Sequence, residues 1–242
     1  MLKESLLLLV GCLIVLTADG SVNAQPSKEI TVSAAISLKN AFEEIGNLFE
    51  SQNMGTKVVF NFGASGDLAR QIEGGAPVDV FASAAQKDMD QINTKGLIDS
   101  STLLNFAKNT VVLIQSAVSK LEIKGFEDLL KPEIKMVSIG NPQTVPAGKY
   151  AQEVLTHFKV WDGVSNKLVL TENVRQVLDY VTKNEVDAGV VYATDAAVQA
   201  NKIKIVATAP SGSHKPVVYP VAMVKGSKNE VCLLYTSPSP RD

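Results

Sequence analysis

The chain has 242 residues, 45% hydrophobic and 20% charged, with a formal net charge of −2. That is ample apolar material for one large domain or two smaller lobes. It contains no basic tract of the kind that holds nucleic acid, and no second long apolar run follows the N-terminal one, which argues against a membrane span in the mature chain.

The first segment reads as a targeting sequence. Lys3 supplies a small positive charge, and Leu6 to Ala18 form an apolar run too short to cross a bilayer. Val22-Asn23-Ala24 is a small-residue cleavage pattern, so residues 1–24 are expected to be a signal peptide and Gln25 the mature start. A second reading exists, because Leu9-Val10-Gly11-Cys12 resembles a lipoprotein box. Against lipidation at Cys12, Leu13-Ile14-Val15-Leu16 prolong the apolar run where a lipid anchor has a polar tether. Cys232 is the only other cysteine, so once Cys12 is removed no disulfide and no thiol metal site can form within one chain.

From Ile30 onward, strand and helix patterns alternate. Strands are expected at Ile30–Ala34, Lys57–Phe62, Val78–Ala82, Thr110–Gln115, Lys135–Ile139, Lys167–Leu170, Ala188–Tyr192, Ile203–Ala207 and Val217–Val224. Helices are expected at Leu38–Phe49, Gly66–Glu73, Gln86–Lys95, Gly148–Phe158, Val174–Asn184 and Thr194–Gln199. In the first of these, Leu38, Phe42, Ile45, Leu48 and Phe49 share one apolar face. The rhythm implies an α/β fold with mixed, mostly parallel sheets, in which ligands bind at the carboxyl ends of strands. Two extended segments, around Asn109–Gln115 and Val217–Val224, look able to run as paired crossings that form a hinge. One lobe would then comprise residues 29–108 plus 217–231, and the other residues 109–216. Residues 232–242, CLLYTSPSPRD, have neither helical nor strand period. They look like the translation of an adapter used in preparing sequencing libraries and are expected to be a non-native tail.

The segment NFGASGDLARQIEGGAPVDVFASA, Asn61 to Ala84, carries the strongest chemical signal. A strand runs into Gly63-Ala64-Ser65-Gly66 and a helix begins at once. Ser65 stands where a helix cap belongs, with its hydroxyl and the next free N–H groups facing outward together. Ser37 opens another helix after another strand. Two such helix starts without charged side chains would hold an anion by dipoles rather than by salt bridges.

The pieces ITVSAAISLKNAF, FGASGDLARQIEGGAPVDVFASA, NPQTVPAGKYAQEVL, ENVRQVLDYVTKNEVDAGVVYATDA and HKPVVYPVAMV, in that order, resemble the periplasmic molybdate-binding proteins of ABC transporters. The resemblance spans about Glu29 to Glu230. It implies the two-lobed type II periplasmic-binding-protein fold, a place in the periplasm, and delivery of molybdate, with tungstate as a second ligand, to a membrane permease; a monomer is the default expectation. It implies no enzyme activity, no cofactor and no direct protein–metal bond. Carried over by position, the oxyanion would be held by the hydroxyls of Ser37 and Ser65, the N–H groups of Ala147 and Val174, and the hydroxyl of Tyr192. A site made only of donors suits a fully deprotonated oxyanion and penalises hydrogen phosphate, whose proton would face a donor. Phosphate and sulfate binding remain the alternative, and a secreted serine hydrolase the remote one.

Several features have plainer readings. Asp67 follows Ser65-Gly66, where it would either favour the helix N-terminus and face solvent or accept a proton from phosphate. Gly63-Ala64-Ser65-Gly66-Asp67 nearly matches the nucleophile-elbow pattern, yet neither His157 nor His214 lies in a sequence context that suits a catalytic base. Ala147-Gly148-Lys149-Tyr150 lacks the first glycine of a phosphate loop, Trp161 with Phe158 reads as packing, and Asp79 as polar capping at a sheet edge.

Overall fold

The computed structural model describes residues 28–227 and Asn229. The signal peptide, Cys12 and the Cys232–Asp242 tail lie outside the described residues.

Two five-stranded sheets carry the fold. The first contains β1 (Lys28–Ala35), β2 (Thr56–Gly63), β3 (Val80–Ala82), β4 (Leu104–Asn109) and β10 (Val217–Met223), in the order β2-β1-β3-β10-β4. The second contains β5 (Val111–Ser116), β6 (Val137–Gly140), β7 (Leu168–Thr171), β8 (Ala188–Tyr192) and β9 (Ile203–Thr208), in the order β7-β6-β8-β5-β9. Both orders repeat one pattern. Three parallel strands are followed by one reversed strand, then by an edge strand that runs with the first three. The sheets are therefore mixed and mostly parallel, as the alternating sequence rhythm predicts.

The reversed strands are β5 and β10, the two that begin where the chain arrives from the other sheet. One crossing is Thr110, and the other is residues 209–216. Asn109 and Val217 are register partners, so the crossings run side by side. Beyond that partner the stretches 109–115 and 217–224 diverge into separate sheets.

Seven helices complete the described chain: α1 (Lys39–Gln52), α2 (Ser65–Glu73), α3 (Gln86–Thr94), α4 (Pro146–His157), α5 (Trp161–Val164), α6 (Val174–Thr182) and α7 (Ala193–Val198). None of them is long and apolar enough to cross a membrane. The sequence reading has no counterpart for β4, α5 or the 3-10 turn at Phe126–Leu130. β4 escapes it because Leu104 to Phe106 are all exposed at a sheet edge, so no inside–outside alternation marks the strand.

The second sheet is covered on both faces. α6 packs on the side of Gly189, through Val177 and Val181, while α4 brings Tyr150 to the side of Tyr192. Every residue of β5, β6 and β8 is buried as a result. In the first sheet, α2 and α3 cover one face through Leu68, Ile72, Met89 and Ile92. α1 does not bury its apolar stripe as the sequence predicts. Ile45 and Leu48 are 58% and 57% exposed. Gly46 meets the Phe60 ring instead, and Phe42 and Phe49 flank the contact half-buried.

Candidate functional site

Six parallel strands, β1, β2, β3, β6, β7 and β8, point their carboxyl ends at one cavity between the two sheets. It is tight, with about 10 Å³ open to the centre of a water molecule. The first sheet lines it with residues 35–37, 63–65 and Ala84, and the second with residues 145–147, Asn173, Val174 and Tyr192. None of these residues carries a charge. Ser37, Ser65, Ala147, Val174 and Tyr192, all singled out from the sequence, meet here.

Ser65 differs from its sequence reading. The cap position belongs to Ala64, and Ser65 is the first helical residue, with no side chain capping α2. The fully buried Ser65 Oγ instead accepts the Ala84 N–H at 2.9 Å. Its acceptor side is thereby engaged, and its own hydrogen is free to donate. Ser37 lies in the 3-10 turn Ile36–Leu38 that precedes α1. Its Oγ accepts the Tyr219 hydroxyl at 3.2 Å, and the Tyr219 oxygen accepts Asn109 Nδ2 at 2.8 Å.

Backbone geometry supplies the other side. No side chain caps α4, and Pro146 at its start has no N–H, so Ala147 provides the first donor there. α4 reaches the cavity because it crosses the end of β6 with no side chain between. A Cβ on Gly148 would lie 1.9 Å from the Gly140 carbonyl oxygen. At α6, Asn173 Oδ1 accepts the N–H groups of Arg175 and Gln176 at 3.0 and 3.1 Å. The cap leaves the Val174 N–H to the cavity. Tyr192 ends β8, and its hydroxyl donates to the Ala84 carbonyl of the other sheet at 3.4 Å. Burial pushes the Tyr192 hydroxyl well above its ordinary pKa, so it keeps its proton.

The two sides also touch directly. The Gly66 N–H donates to the Thr144 carbonyl at 3.1 Å, and a Cβ on Gly66 would sit 2.8 Å from that oxygen. Beside this contact Asp88 enters a crevice between α3 and residues 142–146. Burial raises its pKa to about 6, against the pull of Lys87, Lys149 and Arg70.

The charged side chains nearest the site in sequence are otherwise engaged. Arg175, next to Val174, lies 2.6 Å from the buried carboxylate of Asp195, although the pair is misaligned for a hydrogen bond. Burial raises Asp195 to about 6, and Arg175 opposes that rise. Asp67 pairs with Arg70 at the surface and does not line the cavity. Asp79 accepts the Thr31 N–H at 2.7 Å and bonds Ser227 and Asn229, the capping role expected of it. His157 ends α4, whose other end faces the cavity, and His214 bonds the Lys215 carbonyl at 2.7 Å. Neither approaches Ser65 Oγ, whose hydrogen-bond partner is a main-chain amide.

Sequence reasoning missed Tyr219 and Asn109. A tyrosine in a valine-rich strand reads as core. The available signal was Pro220, which cannot donate to the ladder. Between Tyr219 and Pro220 the register with β4 shifts and Phe106 becomes the extra residue.

Paired crossings between two α/β units, with an uncharged cavity between their strand ends, define a solute-binding architecture. The chain belongs to the bacterial extracellular solute-binding protein family, which it matches over residues 30–232. It is 41% identical over 206 residues to the molybdate-binding protein ModA of Haemophilus influenzae, covering 84% of this chain and 81% of that one. Among solved structures, the periplasmic molybdate-binding protein of Azotobacter vinelandii superposes with a TM-score of 0.75 at 25% identity, over 85% of this chain and 90% of its own. A substrate-binding domain assigned to a molybdenum ABC transporter of Clostridium difficile gives a TM-score of 0.63 at 41% identity, over 84% and 87%. The family consists of binding proteins, so the hydrolase reading of Ser65 does not hold and the chain is not an enzyme.

Proposed function

We propose that this protein captures molybdate, with tungstate as a second ligand, between its two sheet-centred lobes in the periplasm and delivers it to the permease of an ABC transporter. Ser37 and Ser65 donate their hydroxyl hydrogens from one lobe. Ala147 and Val174 donate main-chain N–H groups from the other, and Tyr192 adds its hydroxyl. The observation that carries this reading is the convergence of these five residues on a cavity without a charged wall, where the Tyr192 hydrogen would exchange the Ala84 carbonyl for the oxyanion. It is supported by the similarity to proteins named for molybdate binding.

The α4 and α6 starts carry the positive ends of helix dipoles, about half a charge each. Hydrogen bonds to a charged partner are about twice as strong as neutral ones, so each donor contributes on the order of 1.5–3 kcal/mol, roughly ten- to a hundredfold in affinity. Closure would pivot on the paired crossings at Asn109 and Val217 and be read by the permease as the loaded state. The protein would act as a monomer. Calorimetric titration with molybdate, tungstate, sulfate and phosphate tests the assignment. Strong heats with the first two and none with phosphate are expected, whereas tight phosphate binding without a molybdate response would overturn it.

A further inference from the structure

We propose that Tyr219 and Asn109 are positioning residues that lock Ser37 as a hydrogen donor, and that this lock is what turns away oxyanions that still carry a proton. The inference rests on the oxyanion reading of the cavity and adds the device that sets its selectivity.

A serine hydroxyl can turn to donate or to accept, so a serine beside a ligand does not by itself favour a bare oxyanion. Here the direction is imposed from behind. The Thr110 N–H donates to Asn109 Oδ1 at 2.9 Å, which fixes which end of that amide carries oxygen. Asn109 Nδ2 then donates to the Tyr219 oxygen at 2.8 Å and to Thr194 Oγ1 at 2.7 Å. An amide nitrogen cannot accept, so the Tyr219 hydrogen turns to its remaining neighbour, Ser37 Oγ, at 3.2 Å. Tyr219 donates to Ser37 and so does not take its hydrogen, which is left to point into the cavity.

Ser65 is polarised in the same sense by the Ala84 N–H, and the Ala84 carbonyl is taken by Tyr192. Tyr219 is 2% exposed, and burial lifts its pKa to about 12, so it remains a donor at any physiological pH. To accept the proton of hydrogen phosphate, Ser37 would have to turn its own hydrogen away from the ligand toward Tyr219, which already donates to it and offers that hydrogen no acceptor. The chain of bonds also joins both sides of the molecule, because Thr194 belongs to α7 and Tyr219 to β10.

The test compares molybdate and phosphate affinities, by calorimetry on the full chain, for the parent and two variants. Tyr219→Phe deletes the imposing donor. Asn109→Asp keeps the shape but replaces the amide nitrogen with an acceptor, drawing the Tyr219 hydrogen away from Ser37. Each should weaken molybdate about tenfold and raise the phosphate-to-molybdate affinity ratio at least tenfold, with the ligand-free melting temperature little changed. Ser37→Ala should lose molybdate affinity without gaining phosphate. An unchanged affinity ratio in Tyr219→Phe, or in Asn109→Asp should the phenylalanine variant fold poorly, overturns the proposal and leaves the oxyanion reading standing. A parent protein that binds neither ligand removes both.

Discussion

The two sheets share a strand order yet meet the cavity with different chemistry. The first offers side-chain hydroxyls, Ser37 and Ser65, each backed by another donor. The second offers main-chain N–H groups at two helix starts, plus the Tyr192 phenol. The difference matters because a main-chain N–H can only donate, whereas a hydroxyl donates only if its surroundings make it do so. Mutation can therefore delete or reverse the hydroxyl donors, Tyr192 among them, but short of a proline it can only displace the main-chain donors of the second side.

Gly148→Ala should break the second side most severely. The added Cβ would fall 1.9 Å from a carbonyl oxygen of β6, so the α4 start and the Ala147 donor must move. We expect a loss of about 1–3 kcal/mol in stability and no measurable molybdate heat, checked by thermal unfolding and calorimetry. Ser37→Ala combined with Ser65→Ala removes both hydroxyls of the first side. Affinity should fall at least about a hundredfold while the circular dichroism of the ligand-free protein is retained. Normal binding by this double variant would place the site elsewhere.

Gly66→Ala leaves every donor in place and obstructs the contact between the two sides, since its Cβ would meet the Thr144 oxygen at 2.8 Å. About a tenfold weaker affinity with an unchanged ligand-free melting temperature would separate closure from donor chemistry. The smallest effect concerns Asp88 in the crevice beside that contact. Its raised pKa, about 6, means that the closed arrangement favours the neutral carboxyl. The cost of burying its charge is absent well below the ordinary aspartate range, grows between about pH 4 and 6, and is complete above about 6. Affinity should therefore ease upward a few-fold as pH falls from 7 through 6. Asp88→Asn should flatten that slope, and an unaltered slope would assign it to another group.

Much of this was legible in the sequence. Strand–helix alternation set the architecture, and Ser65-Gly66 and Val174 marked helix starts, whereas α4 begins at Pro146, two residues before the expected Gly148. Cap and turn preferences act over a few residues, so a one-dimensional reading captures them. The reading failed where partners lie far apart. Ser65 looked like a cap, but its hydroxyl turns to Ala84, nineteen residues on. The apolar stripe of α1 was correctly seen, yet Ile45 and Leu48 stay exposed, because what covers a stripe depends on the rest of the fold.

By itself the sequence determined the run of elements and the two serines near helix starts, since both follow from local periodicity and capping, while Ala147, Val174 and Tyr192 were implied by the family resemblance. The tertiary structure alone decided which way those donors point. Tyr219 lies 182 residues from Ser37 and Asn109 lies 110 from Tyr219, and only the strand order β1-β3-β10-β4 brings the three into one chain of hydrogen bonds. The direction of a hydroxyl is set by its neighbours in space, and those neighbours exist only once the chain has folded.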